Sequence, residues 1–302
     1  MRPPLRRLTG ITVIVLGLLA AGVVEKAHSE AIRLTTNLPA GRKVPKQTPA
    51  DYHLTYLDAG VTTTDGLKLV GWYIPGTNGA TVIFVHGYKD SRGSMLGSAE
   101  MFHAHGYGAL VVALRGHDRS DGDRIMFGHT ELRDLDAWFG FAVRQPDIDR
   151  RKIALLGVSM GGAIAIQYTA KNPGVAALVA DSAFSSMDDT IATSVRHFTG
   201  LPPFPFASLI GFWIRENTGL TRDEADAKRV IAQISPRPIL LMQGGADTVI
   251  SPQSGRLLYD AAKEPKELWF DPALDHAKFF DQRRDEYERR VIGFMDKWVG
   301  RR

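Results

Sequence analysis

Residues 153–163 read Ile153-Ala154-Leu155-Leu156-Gly157-Val158-Ser159-Met160-Gly161-Gly162-Ala163. An apolar run of strand length passes directly into a Gly-x-Ser-x-Gly pentad, and small residues with a helical pattern follow. A strand that turns this abruptly into a helix leaves Ser159 at the corner, in a strained backbone, with glycines where side chains would clash. The serine hydroxyl then stands exposed above a helix N-terminus, whose dipole favours negative charge developing there.

On both sides of that corner, short apolar runs alternate with helical patterns. Residues 81–85 precede a helix near 94–105, residues 109–114 one at 131–143, residues 153–156 one at 161–170, and residues 239–242 one near 252–262. Further runs occupy 175–180 and 268–270. Unbroken apolar runs of this length mark strands covered on both faces, as in a parallel sheet with helices on each side. Ahead of them, residues 53–57 and 67–74 read as an antiparallel hairpin about Thr64-Asp65-Gly66, stopped by Pro75-Gly76. The expected fold is α/β, with a mostly parallel eight-stranded sheet flanked by helices. Residues 186–234 break the alternation with Phe198, Pro202, Pro203, Phe204, Pro205, Phe206, Phe212 and Trp213. They read as a short helical cap inserted after the sixth strand, closed by a charged helix at 222–229.

The chain has 302 residues, 44% of them hydrophobic, enough for one full-sized core. Residues 1–50 hold 8 Lys/Arg against 2 Asp/Glu, leaving 29 against 31 beyond. The net charge of +4 thus sits in the N-terminal arm, and the folded part offers no basic footprint for nucleic acid. With no cysteine there is no disulfide framework, no thiol nucleophile and no thiolate metal site. Arg2, Arg6 and Arg7 precede an apolar stretch at 8–24, ended by Glu25-Lys26. That stretch reads as a targeting segment at the short end of a membrane span. Ala27-His28-Ser29 is a passable cleavage site, so an anchor that stays and a signal that is removed are both open, as is a buried helix of the domain. The boundaries expected are an anchor or signal over 1–31, a Pro-rich linker over 32–50, and the folded domain over 51–302. A chain beginning near Ala50 is expected to be soluble and active.

With Ser159 as the fixed point, the sequence resembles the α/β-hydrolase superfamily, and within it the single-anchor serine aminopeptidase-like hydrolases. Thr64-Asp65-Gly66-Leu67 with Gly71-Trp72 and Pro75, Val85-His86-Gly87-Tyr88, Leu114-Arg115-Gly116-His117 with Ser120-Asp121-Gly122, and Gly128 with Glu131 and Asp134-Leu135 match family motifs. Gln243-Gly244-Gly245-Ala246-Asp247 with Ile250 and Pro252 resembles the turn that carries the family's acid, and Asp275-His276 stands where its base does. Ala113, where many relatives carry Asp, and His117-Asp118 depart from the pattern. The resemblance implies Ser159 as nucleophile, His276 as base and Asp247 as the acid that orients it, in the chain order of this fold. It also implies an oxyanion hole from the Tyr88 and Met160 N–H groups.

Asp181, directly after the sixth apolar run, is the rival acid, its plainer role being to anchor the cap. His86 reads as a loop brace, and His117, His129 and His197 as loop or helix-end residues. His103 and His105, two apart, lack the four-residue spacing of a zinc helix pair. The resulting expectation is a cofactor-independent serine hydrolase acting on an ester or thioester with a lipophilic acyl group, a small-molecule or lipid-like substrate. A serine at the nucleophile position excludes the branches that need a carboxylate there. Amide or peptide hydrolysis and a non-catalytic binding module are the alternatives. The compartment implied is extracytoplasmic, tethered by the N-terminal segment or secreted after its removal; the oligomeric state is not legible.

Overall fold

A computed structural model describes residues 5–221 and 223–300. The elements run α1 (Leu5–Thr35), β1 (Leu57–Thr62), β2 (Lys68–Ile74), β3 (Thr81–Val85), α2 (Leu96–Ala104), β4 (Gly108–Val112), α3 (Glu131–Ala142), β5 (Ile153–Val158) and α4 (Met160–Lys171). There follow β6 (Leu178–Asp181), α5 (Met187–Thr199), α6 (Pro203–Thr218), α7 (Ala227–Val230), β7 (Ile239–Gly244), α8 (Ser254–Ala261), β8 (Lys266–Asp271), α9 (Phe279–Gln282) and α10 (Arg284–Met295).

The eight strands form one sheet in the order β1-β2-β4-β3-β5-β6-β7-β8. β1 and β2 pair antiparallel, β2 meets β4 antiparallel, and every later pairing is parallel. The central strands are buried on both faces, which is why they read as continuous apolar runs. Val82, Phe84 and Val111 enter the cluster under α2 and α10, whereas Ile83, Val85 and Val112 enter the one under α3, α4 and α8. All parallel strands end at the same edge of the sheet, and the loops leaving β3, β5, β7 and β8 converge there.

The first strand lies later than the sequence suggests: residues 53–56 are not strand, and β1 spans Leu57–Thr62. The tight turn after Thr62, in which Gly66 N–H donates to the Thr63 carbonyl at 2.9 Å, requires the two strands to abut it. An edge strand containing Asp58 and Gly60 carries little apolar signal, and Ala59 is its one buried residue. The charged helix expected at 222–229 is found as α7, Ala227–Val230, capped by the Asp226 side chain; Arg222 lies outside the described residues.

The N-terminal segment departs furthest from its reading. Arg2 lies outside the described residues, but α1 continues unbroken through Glu25-Lys26 to Thr35, into the stretch read as linker. Glu30 reaches Lys26 at 2.7 Å and Arg33 at 2.6 Å, the spacing at which helix charges meet, and no proline intervenes before Pro39. Ile11, Val13, Ile14, Leu16, Leu18 and Leu19 are exposed, whereas Ala27, Ala31 and Leu34 are buried against Val195, Ile210 and Ile214 of α5 and α6. The rest of the arm is tied down as well. Thr36 forms a β-bridge with Arg124, Asn37 Nδ2 donates to the Gly116 carbonyl at 2.8 Å, and Arg42 donates to the carbonyls of Asn37, Ser120 and Gly122. Residues 32–42 are therefore a strap across the loop after β4 rather than a free connector.

That loop is itself held by a buried ion network. Arg115 donates through Nε to Asp134 Oδ1 at 2.8 Å, with its own N–H on Asp134 Oδ2 at 2.8 Å, and through Nη1 to Asp65 Oδ2 at 2.8 Å. The network joins the β1–β2 turn, the β4 loop and α3. Removing the guanidinium would leave the fully buried Asp134 carboxylate uncompensated. Arg115→Met is expected to cost roughly 3–5 kcal/mol in urea unfolding; a loss below about 1 kcal/mol would mean that the pair behaves like a surface bridge.

Candidate active site

Ser159 occupies the turn between β5 and α4 with φ 56 and ψ −122, a left-side conformation that a side chain adopts only under constraint. The constraint is close packing: a Cβ on Gly161 would lie 2.3 Å from the Val85 carbonyl oxygen and 2.4 Å from that of His86. Only glycine lets the first turn of α4 sit so near the end of β3. The Ser159 N–H donates to the Asp181 carbonyl at 2.8 Å, fastening the corner to β6. Met160 is the first residue of α4, so its amide belongs to the helix-end group without an intrahelical acceptor.

The loop after β8 brings His276 to Ser159, with Nε2 2.8 Å from Oγ. On its other side His276 Nδ1 lies 2.8 Å from Asp247 Oδ2. Asp247 is held from every side: Oδ1 accepts the N–H groups of Val249 at 2.9 Å and Ile250 at 2.8 Å, and Oδ2 accepts Gln243 Nε2 at 3.0 Å. The loops carrying Asp247 and His276 are locked together, since Asp275 Oδ1 accepts the N–H of His276 at 2.7 Å and of Thr248 at 3.0 Å. These bonds, led by the one from His276 N–H, hold the Asp275 carboxyl below its usual range. A Cβ on Gly244 would fall 2.3 Å from the Leu274 carbonyl, so the two loops touch through backbone.

Asp181, the rival acid, is hydrogen-bonded to Ser182, whereas the imidazole pairs with Asp247. Its carboxylate accepts the Ser182 hydroxyl at 2.8 Å, and Ser182 Oγ in turn accepts the Ala277 N–H at 3.0 Å, bracing the residue after His276. Burial pushes the Asp181 carboxyl up to about 6. The two other buried histidines staple backbone. His86 Nδ1–H donates to the Gly87 carbonyl at 2.8 Å while Nε2 accepts Leu114 N–H at 3.2 Å. His117 does the same between the Arg115 carbonyl at 2.8 Å and Lys89 N–H at 3.1 Å. Burial favours the neutral ring in both, lowering His117 to about 3. His105 pairs with Glu288 and His129 with Glu224, and among the described residues no cluster has the makings of a metal site.

Two cavities meet at Ser159. One, about 70 Å³, is walled almost entirely by apolar groups: Leu34, Tyr88, Phe127, Met160, Phe184, Met187, Ile191, Val195, Phe198, Ile214, Val249 and Ile250. The other, about 390 Å³, is the more polar of the two and holds His276, Asp181, His197, Tyr287, Lys43 with Asp90, and Lys278 with Asp281. Of the cap aromatics picked out in the sequence, only Phe198 lines the apolar cavity. Phe204 and Phe212 are exposed, while Phe206 and Trp213 belong to the cluster that covers α1. The wall comes instead from aliphatic residues of α5, whose periodicity is that of any amphipathic helix. The supporting bonds of Gln243 to Asp247 and of Ser182 to Asp181 were equally hidden, since a buried amide and a hydroxyl do not announce their partners.

Among solved structures, the esterase Pf2001 of Pyrococcus furiosus superposes with a TM-score of 0.73 over 88% of this chain and 99% of its own, at 29% identity. The chain has the α/β-hydrolase fold. Within it, residues 76–204 match the family model described as serine aminopeptidase, S33. Among curated proteins, YfhR of Escherichia coli (strain K12) is 27% identical over 78% of both chains. The α/β hydrolase domain-containing protein WAV2 of Arabidopsis thaliana is 26% identical over 94% of this chain and 92% of its own. An α/β hydrolase with esterase-like neighbours is thereby placed among hydrolases.

The two carboxylates make separable predictions. Asp247→Asn is expected to leave the fold intact and lower kcat by up to roughly 10⁴-fold, because the amide would favour the wrong imidazole tautomer. Asp181→Asn should leave kcat within about threefold. Asp181 holds its proton to higher pH in the folded chain than in the unfolded one, so the parent loses stability as pH rises from about 4 to about 6 and keeps that penalty above. Relative to the parent, Asp181→Asn should therefore gain on the order of 2 kcal/mol in urea unfolding between pH 4.5 and 7.5. Catalytic collapse in Asp181→Asn with a near-normal Asp247→Asn would reverse the two assignments.

Proposed function

We propose that this chain is a serine esterase or thioesterase that works through an acyl-enzyme on Ser159. The reading is carried by one observation, the unbroken chain of contacts from Ser159 Oγ to His276 Nε2 and from His276 Nδ1 to Asp247 Oδ2, each 2.8 Å long. Ser159 Oγ attacks the carbonyl carbon as His276 Nε2 takes its proton, and the negative oxygen settles against the Tyr88 and Met160 N–H groups. The imidazolium, steadied by Asp247, gives the proton to the leaving oxygen or sulfur as the tetrahedral centre collapses. Water, activated by the same imidazole, then releases the acid and restores Ser159. No cofactor or metal enters this scheme.

The two cavities support an assignment of the two halves of the substrate. The apolar one takes the acyl chain, and the polar one takes the alcohol or thiol side. Of the acidic residues of the polar cleft, Asp181 is engaged by Ser182 at 2.8 Å, and Asp90 and Asp281 each sit beside a lysine, at 3.7 and 3.3 Å, which disfavours a role in gripping the amino terminus of a peptide and favours an ester over an amide substrate. The exposed part of α1 suits a membrane. It begins a helical segment, Ile11–Thr35, that is long and apolar enough to cross a bilayer core, with a mean hydropathy of 1.7. We place the catalytic domain outside the cytoplasm, with the leading arginines retained inside.

Two measurements on the detergent-solubilised protein test the reading. A fluorophosphonate should label the parent and not Ser159→Ala; labelling that survives the substitution would remove Ser159 as the nucleophile. Against p-nitrophenyl esters of increasing chain length, kcat/KM should rise about two- to fourfold per methylene, from about 0.8 kcal/mol of burial each, until the apolar cavity is full. A flat profile would separate that cavity from the acyl chain.

A further inference from the structure

The last turn of α1 touches the hydrolytic site at three points. A helix ends with four carbonyls that lack intrahelical donors, and here all four are taken. The Ile32 carbonyl accepts the Thr35 hydroxyl at 3.3 Å, Arg33 accepts Lys89 Nζ at 2.8 Å, Leu34 accepts the Tyr88 hydroxyl at 2.7 Å, and Thr35 accepts Ile125 N–H at 2.9 Å. Two of these donors, Tyr88 and Lys89, are consecutive residues of the loop after β3. The Lys89 ammonium also lies at the negative end of the helix dipole. The Leu34 side chain, nearly buried, forms part of the wall of the apolar cavity that reaches Ser159.

A membrane tether has no need of such contacts. Tethering requires length and apolarity, which the exposed stretch of α1 already has. The docked stretch is built differently: Ala27 and Ala31, one turn apart and fully buried, let α1 lie close to α6, where His28 meets the Trp213 ring at 4.4 Å. Arg33 Nη2 donates to the Phe198 carbonyl at the end of α5, joining helix and cap directly.

We infer that α1 is a working part of the hydrolytic site, with Leu34 setting how long an acyl chain fits and the Leu34 and Arg33 carbonyls holding the Tyr88–Lys89 loop in place. This rests on the reading of Ser159, Tyr88 and the apolar cavity given above. Leu34 is a specificity-determining residue and the Tyr88 hydroxyl a positioning group. Cleavage after Ser29 would strip Ala27 from the helix and loosen the wall, so the segment must be retained for full activity.

The test uses the full chain in detergent, with p-nitrophenyl esters from acetyl to dodecanoyl and fluorophosphonate labelling of Ser159. Leu34→Ala should move the preferred acyl chain longer by about two carbons, and Leu34→Phe should move it shorter. Tyr88→Phe, which keeps the amide and removes only the hydroxyl, should lower kcat about tenfold at every chain length with KM within about twofold. A destabilised but correctly positioned loop would lose active protein without that split in the labelled fraction. Either Leu34 variant decides the wall if it folds, and Tyr88→Phe carries the test if neither does. Chain-length profiles that superimpose on the parent's, or a Tyr88→Phe enzyme equal to the parent, overturn the inference. A parent that is neither labelled nor active would instead contradict the Ser159 reading itself.

Discussion

The approach of the first turn of α4 to the end of β3 is the constraint on which the rest depends. With Gly161 against the Val85 and His86 carbonyls, the chain has no room to leave β5 gradually. It turns at Ser159 in a left-side conformation that nothing in the residue itself favours. The strain is offset by the sheet, which is buried on both faces there and cannot yield. Everything at the site is then measured from a fixed hydroxyl: the β3 loop on one side, the β7 and β8 loops on the other.

Those outer loops are less constrained by sheet geometry, and hydrogen bonds supply what the strands do not. Asp247 is saturated by two backbone N–H groups and Gln243, and Asp275 binds its own loop to that of Thr248. Two neutral histidines, His86 and His117, pin the β3 and β4 loops from beneath. A charged imidazole in either place would lose its acceptor nitrogen and the backbone bond it makes, which is why burial of the neutral form suits them.

The sheet and the three meeting residues were legible because each depends on a local pattern: apolar runs of strand length, a glycine-bounded serine, an acid in a Gly-Gly turn, and a histidine after the last strand. The docked end of α1, the strap and the cavity wall depend instead on partners distant in sequence. α1 looks the same whether it crosses a membrane or packs on a domain, since both demand an apolar helix; the available signal was the pair Ala27 and Ala31 on one face, suited to close helix contact. The strap at 32–42 looked like a linker because its bonds run to carbonyls of residues 116–123, which no local pattern reveals. The cap's aromatic cluster drew attention away from Met187, Ile191 and Val195, which line the cavity from α5 with ordinary amphipathic spacing. Phe204, one of that cluster, is 88% exposed.

On the proposed reading, Ser159, His276 and Asp247 act as one catalytic unit, each useless without the others. The most direct measurement is therefore kcat for Ser159→Ala, His276→Ala and the double variant on one good ester substrate. If the proton transfer between Nε2 and Oγ is the chemistry, the double variant should be no slower than the slower single, each having lost about 10⁶-fold with the residual rate set by the oxyanion site and binding. Losses that multiply in the double variant would contradict it, showing that the two side chains contribute independently and that their 2.8 Å contact is structural.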